Sequence, residues 1–240
     1  MIAVGRLLDA LFPDGHDVHV EGALIHGSAR TDVAESVAVI GTANAVAVDA
    51  ALALSLAEHI LAVLDRPPRP LVLLVDTSGQ ALRRHEELIG LNAYLAHVAA
   101  CVDFARRSGF PSLSLVYGEA VSGGFLSFGM MADRVYALAS AQIRVMDLKA
   151  MARVTKIPHE ELQRLAAESP VFAPGAENYA RMGAIEAIWP APSAALLNAA
   201  LAELLRDQAI ACEDHRRESG ELRGGRVLAA RTVAAIGAIV

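Results

Sequence analysis

The sequence predicts an α/β fold whose strands are covered by helices on both faces. Three observations carry that expectation. Two short runs, Leu71-Val72-Leu73-Leu74-Val75 and Leu113-Ser114-Leu115-Val116-Tyr117, are almost wholly apolar, as strands in the middle of a two-sided sheet are. Strand and helix signals alternate along the 240 residues, the pattern of parallel strands joined by right-handed helical crossovers. Hydrophobic residues make up 54% of the chain and aromatic residues only 5%, so the core material is Ala, Val and Leu. That share exceeds the ordinary soluble average, which leaves apolar surface for a partner chain.

The elements follow in order. Val18 to Ile25 alternates in part and reads as a strand, as does Ser36 to Gly41, and the two are expected to pair antiparallel. Asp49 is placed to cap the next helix, which runs to about Leu64. Leu52, Leu56, Ile60 and Val63 define its core face; Leu54 and Leu61 fall on a second face, which predicts cover on two sides. Pro67-Pro68-Arg69-Pro70 stops it. The strand from Leu71 ends in Asp76-Thr77-Ser78-Gly79-Gln80, a turn of small polar residues. A long helix from about His85 to Ser108 follows, with Leu88, Leu91, Leu95, Val98, Val102 and Ala105 as its stripe and Gly109 as its left-handed end. The strand from Leu113 then enters Gly118-Glu119-Ala120-Val121-Ser122-Gly123-Gly124 and an uncharged helix from Phe125 to Met131. Arg134 to Leu138 and Ile143 to Met146 read as short strands. From Lys149 the chain turns helical, broken at Pro158, at Pro170 and at Phe172-Ala173-Pro174-Gly175, with a short helix to Arg181. Ile185 to Trp189 reads as a last strand. Ser193 is placed to cap a helix to about Arg217, Ser219 to Gly225 reads as a flexible joint, and an apolar segment runs to Val240.

Two of these strands end in turns with chemical promise, Asp76 to Gln80 and Gly118 to Gly124. Both fall at the carboxyl ends of strands expected to be neighbours, the edge where α/β sheets bind ligands. A strand, small residues and then a helix aim backbone N–H groups at one point. Gly123 and Gly124 admit a ligand close to those donors. Such a turn is a candidate oxyanion hole. Glycines of this kind also serve simply to pack a helix on a sheet, and both readings stand at this point.

Charge and composition exclude several classes. The net charge is −6 with no dense basic stretch, which argues against nucleic acid. No apolar run approaches the ~18 residues of a membrane span, and the N-terminus lacks a signal-peptide layout. Cys101 and Cys212 form no CxxC pair, so neither zinc nor a disulfide framework is expected, and the cytoplasm is the default compartment. No His-x-x-x-His pair occurs; His16 and His19, three apart in a strand, should face opposite ways. Ser122 is a weak nucleophile candidate, because the segment is not G-x-S-x-G. Glu119 is a candidate general base or a cap of nearby N–H groups. His85, Glu86 and Glu87 read as a solvated helix start, Arg216 and Arg217 as solvent-facing helix ends, and Cys101 as a core residue.

The order Val75-Asp76-Thr77-Ser78-Gly79, a long helix, then Gly118-Glu119-x-x-Ser122-Gly123-Gly124 resembles the carboxyltransferase branch of the crotonase superfamily. The resemblance runs from about Ser36 to Trp189 and includes the strand entry Ala132-Asp133-Arg134-Val135. Within that branch the chain most resembles the gamma subunits of biotin-independent malonate decarboxylase, through its short length, the Val121 turn and the Phe172-Ala173-Pro174-Gly175 segment. Acetyl-CoA carboxylase alpha chains have proline where this chain has Ser78. They carry an S-P-E-G element where it reads Val145-Met146-Asp147-Leu148-Lys149. These departures count against a biotin-dependent alpha-type carboxyltransferase.

The resemblance implies a crotonase-like (ClpP/crotonase) spiral of ββα units over residues 1–190 and a C-terminal helical extension over 191–240. It implies backbone donors at Gly79, Gly123 and Gly124, with Thr77, Ser78, Ser122 and Glu119 lining the substrate, and no metal. It implies partnership with a homologous beta subunit in decarboxylating a malonyl thioester to the acetyl thioester and CO2. The thioester rides on the phosphopantetheine-type arm of an acyl carrier protein (delta) subunit, reloaded by a transferase (alpha) subunit, and the chain itself holds no cofactor. The alternatives are biotin-dependent carboxyl transfer, a non-catalytic scaffold for the beta subunit, and a free-standing hydratase or isomerase that relies on Glu119.

Overall fold

The two apolar runs are inner strands of one sheet. They belong to β5 (Leu71–Gln80) and β6 (Ser112–Val121), parallel partners in register from Leu71 opposite Ser112 to Val75 opposite Val116. The computed structural model describes residues 2–168, 173–207, 214–225 and 227–237. Pro170, Phe172, Cys212 and Val240 lie outside them.

Side-chain alternation along the strands sorts the core into two halves. Leu71, Leu73 and Val75 of β5 join one apolar cluster, while Val72 and Leu74 join the other. The first cluster is roofed by α2 (Ala50–Val63) and α4 (Leu91–Arg107), which supply Leu56, Ile60, Leu95, Val98 and Val102. The second is roofed by α1 (Val4–Leu11) and α9 (Ala194–Arg206), through Leu7, Leu8, Leu11, Leu197, Leu201 and Leu204. The sequence reading contains no α1.

Among the described residues nine strands form the sheet: seven run in the order β1-β2-β3-β5-β6-β7-β9, and β4 and β8 pair beside them with β5 and β6. From β3 (Ala34–Thr42) through β5 and β6 to β7 (Arg134–Leu138) and β9 (Ala187–Trp189) neighbouring pairs are parallel, as expected. The segment read as one strand from Val18 to Ile25 is two, β1 (His16–Glu21) and β2 (Leu24–Thr31). Gly22, at φ +63°, turns the chain between them, so the antiparallel edge has three strands rather than two.

Asp49 caps α2 by accepting from Leu52 N at 2.9 Å. Leu54 and Leu61 are exposed, so the second face of α2 is not covered by the described residues. The helix expected from His85 to Ser108 is broken in two. Gly90, at φ +75°, separates α3 (Arg84–Leu88) from α4, which leaves Leu88 exposed and out of the stripe. Gly109 ends α4 at φ +88°, the left-handed conformation expected there.

The turn read from Asp76 to Gln80 continues β5, and Gly118 to Val121 continues β6 before Ser122 opens a helix. After Val75, β5 shifts register and pairs with β4 (Val46–Val48), while the far end of β6 pairs with β8 (Gln142–Arg144). Beyond β8 come α6 (Leu148–Thr155), α7 (His159–Glu168) and α8 (Ala176–Arg181). The helix capped by Ser193 is described to Arg206, and its expected reach toward Arg217 crosses residues outside the description. The expected joint at 219–225 is largely α10 (Arg216–Leu222), followed by α11 (Val227–Gly237). It is packed, not free: a Cβ on Gly183 would lie 2.3 Å from Arg216 O, and one on Gly225 2.2 Å from Arg181 O. Arg216, expected in solvent, donates to Met130 O and Ala132 O at 2.8 and 2.9 Å. Among the described residues no helix is long and apolar enough to cross a membrane.

Candidate active site

Asp76 builds the carboxyl edge. It is 2% exposed at the point where β5 changes partners. Its Oδ1 accepts from Glu119 N at 2.8 Å, its Oδ2 from Ala45 N at 2.9 Å, and its own amide donates to Thr42 Oγ1 at 3.1 Å. One carboxylate thus ties the β3–β4 loop and β6 to β5. Gly118 is required for this: a Cβ there would lie 2.2 Å from Asp76 Oδ1. Three non-glycine residues at this edge hold left-handed backbone: Asn44 at φ +63°, Ala45 at +46° and Ser122 at +46°. Such conformations cost about 1–3 kcal/mol each and gather at functional sites.

The two predicted turns do converge. A Cβ on Gly124 would stand 2.9 Å from the carbonyl carbon and oxygen of Gly79 and from Thr77 Oγ1, so only glycine lets the segments meet this closely. The amides of Gly79 and Gly123, expected as free donors, are both engaged. Gly79 N donates to Thr77 Oγ1 at 3.1 Å and Gly123 N to Gln80 Oε1 at 3.0 Å. The reason is general: a buried backbone N–H finds an acceptor, and here side chains two and 43 residues away supply one. The two partners differ in freedom. Thr77 is fully buried and its hydroxyl also donates to Val46 O at 2.7 Å, so it locks the turn rather than facing substrate. Gln80 is half-buried at the end of β5, less enclosed than Thr77.

Ser78 is exposed. Ser122 sits in the α5 turn (Ser122–Leu126), and among the described residues its hydroxyl has no hydrogen-bond partner and no histidine joins it in a nucleophile–base pair. Glu119 accepts from Arg144 Nη2 at 2.7 Å, with both side chains half-buried, so its carboxylate is paired. Glu86, read as solvated, is buried because its carboxylate accepts from Ala50 N at 3.0 Å, at the start of α2, and pairs with Arg83. Neither Gln80 nor Asp76 figured among the site residues read from the sequence. The signal for Asp76 was a charge at the end of an all-apolar strand; nothing local marks Gln80. Around this edge Leu82, Leu88, Ile89, Val145 and Met146 are exposed, and α6 buries none of its residues.

Residues 42–239 match the family described as malonate decarboxylase gamma subunit, MdcE. A curated relative from Malonomonas rubra, the malonyl-S-ACP:biotin-protein carboxyltransferase MADD, is 36% identical over 121 residues. That match takes in 49% of this chain and 41% of the relative, so the chain spans about two-fifths of its length. Two solved Pseudomonas structures are similar over nearly the whole chain. A malonate decarboxylase hetero-tetramer in complex with coenzyme A superposes with a TM-score of 0.73 at 25% identity, covering 93% of this chain and 97% of that one. The MdcD-MdcE hetero-dimer superposes with a TM-score of 0.72 at 25% identity, covering 95% of each. The crotonase-like α/β fold is borne out.

Proposed function

Since the chain belongs to the malonate decarboxylase gamma subunit family, we propose that it decarboxylates a malonyl thioester on an acyl carrier protein together with a homologous beta subunit. The observation that carries this reading is the contact of the Gly79 and Gly124 backbones at the carboxyl edge of β5 and β6. The exposed apolar rim of Leu82, Leu88, Ile89, Val145 and Met146 suits a partner chain that closes the cleft.

In the reaction the bond between the carboxylate carbon and the α-carbon breaks. Its electron pair passes into the thioester as an enolate, CO2 leaves, and a proton added at the α-carbon gives the acetyl thioester. Donors preorganised for the substrate's oxygens lower that barrier, each worth about 10²- to 10³-fold in rate. Gly123 and Gly124 present the turn to the malonyl group. Gly123 N meets a substrate oxygen once the Gln80 carboxamide swings aside. Gly79, Ser78 and Ser122 form the facing wall, Thr77 holds it from behind, and Glu119 steadies the end of β6 through Arg144. The phosphopantetheine-type arm arrives as part of the substrate, a transferase subunit recharges the carrier, and the complex works in the cytoplasm.

The Malonomonas rubra relative favours a second reading, transfer of the malonyl carboxyl group to a biotin protein. Co-expression with a beta-type subunit and an acyl carrier protein separates the two. The purified assembly is expected to release CO2 from malonyl-S-acyl carrier protein at a rate that avidin leaves unchanged. Avidin-sensitive carboxyl transfer would establish the second reading, and an assembled pair inert in both assays would overturn both.

A further inference from the structure

A cationic cleft lies away from the carboxyl edge, where the β1–β2 hairpin meets α2 and the segment leading into β5. His26 of β2 packs on His59 of α2 with ring centroids 4.3 Å apart, and His19 of β1 packs on His26 at 5.8 Å. With Arg66, Arg69 and Asp17 these rings line a cavity of about 260 Å³. Neither arginine forms an ion pair among the described residues. Arg69 Nη1 donates to Ser36 Oγ at 2.9 Å, and its Nε is buried without a partner. Burial first, and the neighbouring Arg66 charge second, pull the Arg69 guanidinium below its ordinary range.

Among the described residues no carboxylate forms an ion pair with either arginine, although Glu35 lines an adjoining cleft with both. Asp17 turns to His19 at 3.1 Å and Glu21 to His26 at 3.3 Å, and both are mostly exposed to water. His59 donates from Nδ1 to Ser55 O at 2.8 Å, which leaves Nε2 as the ring's remaining polar atom. Two unpaired guanidinium groups beside three imidazoles, in a chain of net charge −6, form a site for negative charge. They do not form one for a metal: among the described residues no group of three or more His, Cys, Asp or Glu is placed to hold a cation.

We propose that this cleft binds a phosphoryl anion. Guanidinium forks are favoured partners of phosphate. The two guanidinium groups supply the donors from the segment leading into β5, and the rings of the hairpin and α2 wall the cleft around a compact tetrahedral group. The volume falls below the ~300 Å³ at which small-molecule sites begin, so the occupant is inorganic phosphate or the phosphoryl end of a longer molecule.

Titration calorimetry on the full chain at low salt tests this with inorganic phosphate, methyl phosphate and malonate. Inorganic phosphate is expected to bind at one site per chain. Arg66→Gln, Arg69→Gln and the double variant are expected to weaken it by at least about tenfold, the loss of one charge-assisted hydrogen bond. Arg66 is exposed, so its variant keeps the test decisive should the Arg69 variant fail to fold. Methyl phosphate binding as well as phosphate identifies the end of a monoester; its exclusion identifies the free ion. Absence of phosphate binding, wild-type binding by the Arg66→Gln variant, or tighter binding of malonate than of phosphate would overturn the proposal.

Discussion

Gly124 sets how near the start of α5 approaches the end of β5 at the candidate site. A single methyl group there would intrude on the Gly79 backbone at 2.9 Å, and backbone cannot yield as a side-chain tip can. Gly124→Ala is therefore expected to lower stability by about 1–3 kcal/mol through overpacking. It is also expected to slow CO2 release by the assembled complex about 10²-fold, the usual effect of a displacement near 1 Å. Thermal melting and a CO2 assay check the two effects separately, and full activity would remove Gly124 from the cleft. At this scale the glycines were legible, because a close approach by backbone demands them. Gln80 was not: a carboxamide that serves an amide 43 residues away leaves no mark in its own neighbourhood.

The carboxyl ends of β5 and β6 are held together across the register shift because Asp76 ties β5 to Glu119 N of β6 and to the β3–β4 loop. Asp76→Asn keeps the shape but turns an N–H₂ group toward either Ala45 N or Glu119 N, which today donate at 2.9 and 2.8 Å. One donor is left facing another, and the loss is expected to be about 1–3 kcal/mol, read as a lower midpoint in urea unfolding. An unchanged midpoint would show that the loop is held elsewhere. The sequence presented these strand ends as turns, since Thr77-Ser78-Gly79 carries turn residues. What makes them strands is pairing with β4 and β8, a long-range event that local propensity does not encode. The break at Gly90 escaped for the opposite reason: Leu88 fits the helical period of the residues after it, and periodicity alone extends the helix through a left-handed residue.

Across the whole molecule the parallel order was legible from the apolar strands. The roof over the second face was not, because α1 and α9 lie at opposite ends of the chain and meet only over the sheet. That face also holds two buried phenols. Tyr117 donates to Thr42 O at 2.9 Å, and burial, reinforced by the Asp76 charge, raises it well above the ordinary range. Burial first, then Glu186 and Glu203, pushes Tyr136 up to about 12. A raised phenol favours folding while it is protonated. That contribution is complete below the unfolded value of about 10 and fades as pH rises through the folded value of about 12 for Tyr136. In an alkaline titration the tyrosinate absorbance of these two residues is expected to appear together with loss of near-ultraviolet circular dichroism. Ionisation at ordinary tyrosine pH with the dichroism intact would contradict the burial described here.

The Gln80 contact bears on inhibition. Under the proposed function, an incoming substrate oxygen would compete for Gly123 N with the Gln80 carboxamide of the same chain, not with bulk solvent. A small untethered dicarboxylic acid meets that rival unaided. Under the same proposed function, a malonyl group delivered on an arm of a docked carrier would arrive at the roughly millimolar local concentration that a short tether confers, and compounds meant to block this cleft would need a second anchor outside it.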